Sequence, residues 1–243
     1  MTTSEDQNAA VWQSKDAVDK WVAIEGEREG RRADQRQLMA DLLPFGSDEP
    51  FTFLDLGAGT GAAARAVLRS YPRAEAVLAD FSDQMMAEGA RAMTPYDGRY
   101  RYVAFDMITD PWAGTLPDTF DAVVSSQCVH HVPDERKATL FAEIHAHLAP
   151  GGWYLNFDPV TTDDPIVAAA WQRVADRADP GAAEKAAHRT HDEHVRYENH
   201  IRHMAPLDRQ LGYLRSAGFQ AVDVFWKRLD SVIYGGCRSP EPS

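Results

Sequence analysis

The segment Phe53-Leu54-Asp55-Leu56-Gly57-Ala58-Gly59-Thr60-Gly61-Ala62 sets an apolar run, an aspartate and three alternating glycines directly ahead of a helix-like stretch. Glycine tolerates positive φ and lets a ligand lie against the backbone, while the first amides of a helix carry positive partial charge. Such a turn suits a nucleotide-like ligand, although glycines also serve turns for geometry alone. Asp80 closes the next apolar run, about twenty residues beyond the glycines, where a carboxylate can accept from both hydroxyls of an adenosine ribose. Phe105-Asp106-Met107 closes a third run, and its aspartate can accept from an adenine amino group held between apolar neighbours. Either acid can also be a plain strand-end or helix-cap group. A nicotinamide dinucleotide fits this pattern less well. The third glycine falls one residue short of Gly-x-Gly-x-x-Gly spacing, Asp55 precedes the loop, and no Tyr-x-x-x-Lys pair occurs.

These residues act together only if the ends of successive strands share one edge. From Phe51 onward β-type runs alternate with helical ones, which predicts a parallel sheet covered by helices. Strands are expected at Thr52–Leu56, Ala76–Asp80, Tyr100–Asp106, Ala122–Ser125 and Gly152–Asp158, with helices over Ala62–Tyr71, Ser82–Ala92 and Asp134–Leu148. Ser82 and Asp134 are placed to cap the last two helices. Ahead of this core, amphipathic helices fit the apolar spacing from Val11 to Leu43, and the Pro44 to Pro50 stretch breaks them. Beyond it, residues 159–205 are rich in Ala, Asp, Arg and His, are broken at Asp179-Pro180-Gly181, and read as a lid. The chain then returns to order with a helix over Arg209–Ala217 stopped by Gly218, and a hairpin of Gln220–Arg228 and Ser231–Cys237 that adds one antiparallel strand. Four parts follow: a helical cap (1–50), a ligand-binding core (51–158), the lid (159–205) and a closing helix and hairpin (206–243).

Composition narrows the partners. With 25 Lys plus Arg against 37 Asp plus Glu, the net charge is −12, a field that repels phosphate backbones and disfavours a dedicated nucleic-acid binder. No apolar run approaches the ~18 residues of a membrane span, and the start Met1-Thr2-Thr3-Ser4-Glu5-Asp6 lacks the marks of a signal peptide, so a cytoplasmic location is expected. Cys128 and Cys237 form no Cys-x-x-Cys pair and are expected as free thiols.

With these motifs in order, the chain resembles a class I S-adenosylmethionine-dependent methyltransferase. Leu54 to Gly61 matches that family's first motif, and Asp80-Phe81-Ser82-Asp83-Gln84-Met85 its second. Phe105-Asp106-Met107 resembles the adenine motif, Phe120 to Ser126 the fourth strand, and Leu148-Ala149-Pro150-Gly151-Gly152 the turn before the fifth. The resemblance implies a Rossmann-like α/β fold: a seven-stranded, mostly parallel sheet with one antiparallel strand and helices on both faces. It implies S-adenosylmethionine as cofactor and S-adenosylhomocysteine as product. Asp55 and the backbone of Gly57, Ala58, Gly59 and Gly61 would hold the methionine moiety, and Asp80 the ribose. Phe81 and Met107 would flank the adenine that Asp106 reads, with Ser82 and Met85 completing the second motif. Ser126 and Gln127 would face the methionine end.

Methyl transfer is an in-line displacement that depends mostly on alignment and exclusion of water. An oxygen or nitrogen acceptor must also lose a proton near neutral pH, for which imidazole is suited. The resemblance puts His130 and His131 on the acceptor side, with His131 preferred, although such a pair can simply pack or bond to backbone. His188, His191, His194, His200 and His203 crowd the lid, where pairs three apart could chelate a metal but match no tight zinc signature, so no metal is assigned. Trp12, Trp21, Trp153 and Trp171 include candidates for stacking on an acceptor. The expected activity is methylation of a small molecule. An RNA-modifying methyltransferase and a non-catalytic cofactor-binding protein are the alternatives.

Overall fold

The structure, a computed structural model, describes residues 12–240; the first eleven residues of the helical cap lie outside them. One helix, α1 (Lys15–Asp41), stands where amphipathic helices are expected. It ends just before Pro44, whose ring has no N–H to continue a helix. There follow β1 (Thr52–Leu56), α2 (Ala62–Ser70), β2 (Glu75–Asp80), α3 (Asp83–Met93), β3 (Tyr100–Ala104), β4 (Phe120–Ser126), α4 (Asp134–His147) and β5 (Leu148–Pro159). Three helices, α5 (Pro165–Ala178), α6 (Ala182–Ala187) and α7 (His191–Arg202), make an excursion before α8 (Leu207–Ser216) and the hairpin β6 (Gln220–Arg228) and β7 (Ser231–Cys237).

The seven strands are ordered β3-β2-β1-β4-β5-β7-β6, all parallel except β7, which runs antiparallel to both neighbours. The hairpin thus adds the single antiparallel strand expected. The order turns back between β1 and β4, which opens a crevice at the carboxyl ends of these strands. Successive strand residues face opposite sides of a sheet, and the core divides accordingly. Leu54, Leu56, Val77, Ala79 and Val123 pack with Leu140, Phe141 and Ile144 of α4 and Leu211 and Leu214 of α8. Phe53, Ala76, Leu78, Ala122 and Val124 pack on the other side with Met39 and Ala40 of α1 and Ala63 and Val67 of α2. Both faces are buried, so these strands read as unbroken apolar runs.

Three local expectations change. The strand expected to reach Asp106 stops at Ala104, because Asp106 Oδ1 accepts from Ile108 N–H at 2.9 Å and turns the backbone out of the ladder. β5 starts at Leu148 rather than Gly152, with a register shift opposite Phe120 and Ala122 that absorbs Pro150 and Gly151. Asp134 does not cap α4. Its carboxylate accepts instead from Arg209 Nη1 at 2.8 Å and Tyr213 OH at 3.3 Å, tying α4 to α8. The His130-His131 pair lies in a 3-10 turn, Val129–His131, ahead of Pro133 and outside the helix.

Candidate functional site

The glycine turn joins β1 to α2 through three left-handed residues, Gly57, Gly59 and Gly61, with φ of 71°, 52° and 75°. Gly57 and Ala58 both donate their amides to the Ala79 carbonyl, which seats the turn against the end of β2. Two buried acids close on it. Asp55 Oδ2 accepts from Ala64 N at 2.9 Å, in the first turn of α2. Asp80 Oδ2 accepts from Gly59 N at 2.7 Å and Oδ1 from Ser82 N at 2.9 Å. Burial pushes Asp55 up to about 7 and Asp80 to about 6; amide donors work against the rise in both, as does the Arg36 charge beside Asp55. Arg36 reaches in from α1, is itself buried, and donates from Nε to Ser126 Oγ at 3.2 Å.

Cys128 marks where these groups converge. A Cβ added to Gly57 would lie 2.1 Å from its sulfur, so the thiol packs on the glycine backbone. Burial raises the Cys128 thiol well above its ordinary value, and Asp80, Asp158, Asp55 and Asp106 add to the rise. One sulfur thus stands within electrostatic reach of four carboxylates carried on the ends of β1, β2 and β5 and the loop after β3.

The expected site residues gather to different degrees. Met107 is buried with its methyl against Gly57, and the Met85 methyl faces Gly59. Phe81 is half-buried, and its carbonyl accepts from Gln13 Nε2 at 2.9 Å. Asp106 spends its carboxylate locally, on Ile108 N and on Thr109 Oγ1 at 3.1 Å. The Ser82 hydroxyl turns into α3: it accepts from Met85 N at 3.1 Å and donates to the Trp12 carbonyl, which makes it the expected helix cap and occupies it there. Gln127 adopts φ 60° and bonds to the Phe157 carbonyl through both its backbone and side-chain nitrogens.

Beside this turn lies an imidazole cluster. The parallel register of β4 on β5 pairs Ser126 with Phe157, so Asp158 comes level with the turn that carries His130. Asp158 holds that residue twice, Oδ2 accepting its backbone amide at 2.7 Å and Oδ1 lying 2.7 Å from Nδ1. The other ring nitrogen, Nε2, lies 3.0 Å from Nδ1 of His200, which α7 brings in from 70 residues away. His131 packs on His130 with ring centroids 3.9 Å apart, and Trp12 stands edge-on to it at 6.3 Å. Burial drives both histidines well below the usual imidazole range and pushes Asp158 up to about 7. The rings are therefore neutral at physiological pH. Lys137, fully buried, donates Nζ to the Val132 carbonyl at 2.6 Å and to the His203 carbonyl, so the end of α7 is tied to the same turn.

The remaining expectations for the histidine-rich segment resolve otherwise. His194 is exposed, 3.9 Å from Glu198, and the His191 side chain lies outside the described ones. Of the described side chains on this helix, His200 crosses to the core. Trp153 packs on Phe225, and Trp171 lies under the Lys227 ammonium, so of the described tryptophans only Trp12 reaches the cluster.

Residues 53–152 match the family model described as "Methyltransferase domain". This stretch is a class I S-adenosylmethionine-dependent methyltransferase domain. Across 131 residues the chain is 33% identical to malonyl-[acyl-carrier protein] O-methyltransferase of Halorhodospira halophila, a match spanning 53% of this chain and 42% of that enzyme. An O-methyltransferase family protein from Burkholderia thailandensis superposes with a TM-score of 0.66 at 19% identity, over 97% of this chain and 64% of that one. Human N-acetylserotonin methyltransferase, solved with S-adenosylmethionine, gives 0.64 at 17% identity, over 98% and 60%. The chain thus spans less than two thirds of each of these relatives. Among the described residues, no helix is long and apolar enough to cross a membrane.

Four site residues escape a reading of motifs: Arg36, Cys128, Asp158 and His200. Asp158 had a visible signal, since it ends an apolar strand as Asp80 does. His200 is named among the lid histidines, but nothing in the sequence ties it to His130, 70 residues away; Arg36, 90 residues from Ser126, and Cys128 carry no signal.

Proposed function

We propose that this protein transfers the methyl group of S-adenosylmethionine to an oxygen or nitrogen of a small molecule. The observation that carries this reading is the convergence of the glycine turn, the Asp55 and Asp80 carboxylates and the Asp158-braced His130 on one crevice at the switch point of the sheet. The residues fit the cofactor. Asp80 accepts the Gly59 and Ser82 amides on separate oxygens, and its carboxylate retains accepting capacity for the ribose hydroxyls. Asp55 and buried Arg36 offer opposite charges to the ammonium and carboxylate of the methionine end. Met85 and Met107 supply apolar surface, and Phe81, Ala58, Ser126 and Gln127 complete the lining. Bound there, the cofactor supplies an electrophilic methyl on a sulfonium. The chain's own part is to orient the acceptor, exclude water and ease loss of the acceptor's proton, which falls to His130 and His131. Residues 159–205 act as the lid, with His200 on its inner face. The net charge of −12 and two free thiols favour a small acceptor met in the cytoplasm over a nucleic acid.

Mass analysis of candidate acceptors after incubation with isotopically labelled S-adenosylmethionine tests the reading; no labelled product from any hydroxylated or amino acceptor, with cofactor bound, counts against it. Asp80→Ala is expected to weaken cofactor binding by about a hundredfold in calorimetry, the worth of two hydrogen bonds to a charged acceptor. Asp80→Asn, which keeps one accepting oxygen and the side-chain volume, should fall between.

A pH dependence follows as well. Asp80 and Asp55 ionise at about 6 and about 7 in the unliganded protein, and a cationic cofactor prefers the ionised acids. Affinity for S-adenosylmethionine therefore rises as pH passes upward through that range. Asp55→Asn should flatten the rise; an unchanged slope would remove Asp55 from the site.

A further inference from the structure

We propose that His130, His131 and His200 form a binding site for one divalent transition-metal ion of the zinc class, with an open position on the acceptor side. The three rings each offer a nitrogen, and these nitrogens all lie within 4.8 Å of one another. Nitrogens bound to one such ion sit about 3.0–3.4 Å apart, given metal–nitrogen distances of about 2.0–2.1 Å. The His130–His200 separation of 3.0 Å already meets that spacing, and small rotations of the rings bring in the third.

What separates a cation site from a cluster of packed histidines is how each ring is held. His130 has Nδ1 fixed by the Asp158 carboxylate, which leaves the Nε2 lone pair facing the cluster. A carboxylate behind an imidazole is the usual outer partner of a metal-bound histidine, since it sets the tautomer and raises the basicity of the ligand nitrogen. His131 Nδ1 is buried with no hydrogen-bond partner, and in the tautomer protonated at Nε2 its lone pair is unused. A hydrogen bond between His130 and His200 accounts for two of the rings and leaves this third lone pair stranded in a dry place, where polar atoms are normally paired. A cation satisfies all three.

Three protein ligands leave a fourth position open, the arrangement of catalytic rather than structural zinc. Because two ligands come from the turn after β4 and the third from α7, the ion also fastens α7 over the crevice. The inference rests on the proposed methyl transfer only for what occupies the open position, an acceptor oxygen whose proton passes to water as the dipositive charge takes over the part of the histidine base, the ring lone pairs then holding the ion. Cation binding itself needs no acceptor.

The test uses the whole chain, freed of metal by chelator and titrated with zinc by calorimetry and with cobalt by visible absorption. One equivalent is expected, with cobalt bands that show nitrogen ligation. His200→Ala and His200→Gln should each weaken binding at least tenfold, and Asp158→Asn roughly 10–100-fold, as removal of an outer partner does. His194→Ala, on the same helix but exposed beside Glu198, should bind as the parent does. Thermal melts without metal establish that the His200 variants are folded. Absence of stoichiometric binding by the parent, or parental affinity in both folded His200 variants, overturns the site. Full-rate methyl transfer after chelation with no ion bound overturns the ion's part at the acceptor and leaves the methyltransferase. Stoichiometric binding with no methyl transfer to any acceptor does the reverse.

Discussion

Replacing Asp158 with asparagine is expected to lower turnover roughly 10²–10⁴-fold, the worth of a positioned acid–base group, while affinity for S-adenosylhomocysteine stays near that of the parent. The size follows from how the carboxylate is used. Its two oxygens both face donors on one residue, Oδ2 the backbone N–H of His130 and Oδ1 the ring Nδ1. A carboxylate accepts both bonds, whereas an amide offers one oxygen and one N–H group. The backbone amide cannot change its character, so the asparagine oxygen must stay opposite it and the NH₂ must face Nδ1. That reverses the bond to the ring. His130 would then carry its proton on Nε2, pointing toward His200, and lose the lone pair that meets an acceptor's proton or a cation. Side-chain volume barely changes, so stability should move little, and a turnover loss without a shift in cofactor affinity or melting temperature identifies the effect as chemical. Near-parental turnover in Asp158→Asn would take His130 out of the reaction.

The contrast between His130 and His131 shows what a sequence can and cannot yield. Two adjacent histidines after an apolar run carry no mark of which one is braced, and the sequence reading prefers His131. The brace comes from the end of the next strand, 28 residues on, and only the β4–β5 register decides which ring it meets. Local chemistry reads better. The glycine turn, the buried Asp80 and the Ser82 cap are all set by neighbours within a few residues or by one strand–helix step, and they stand where spacing puts them. Asp106 marks the limit of that kind of reading. Spacing puts it at a strand end, yet the same short side chain that suits a ligand also accepts from its own following amide, and that local bond ends the strand two residues early. Arg36 is invisible for a different reason: in a helix dense with charge, nothing in the sequence marks this arginine as buried.

The second large effect is expected at Gly57. Its φ of +71° lies where an L side chain is disfavoured by about 1–2 kcal/mol, and that strain alone would be tolerable. The neighbour is not. An added Cβ would lie 2.1 Å from Cys128 Sγ and 2.6 Å from Cys128 Cβ, so alanine cannot be accepted unless the turn after β4 moves. Cys128 stands next to the 3-10 turn that holds His130, hence a displacement there disturbs the cofactor turn and the imidazole cluster together. Gly57→Ala should therefore lose cofactor binding beyond calorimetric detection and destabilise the fold by several kcal/mol, toward the upper end of single-substitution effects. Gly114 gives the control, since it also has positive φ, +81°, but nothing within 4 Å of an added Cβ. Gly114→Ala should cost only the conformational strain of about 1 kcal/mol and leave cofactor affinity unchanged. Cys128→Ala in the Gly57→Ala background removes the sulfur but keeps the 2.6 Å contact, so rescue should be slight; Cys128→Gly should restore part of the stability. Equal losses in Gly57→Ala and Gly114→Ala would mean that backbone strain, and not the thiol packed on the glycine, sets the cost. The coupling drawn between the two halves of the crevice would then fail.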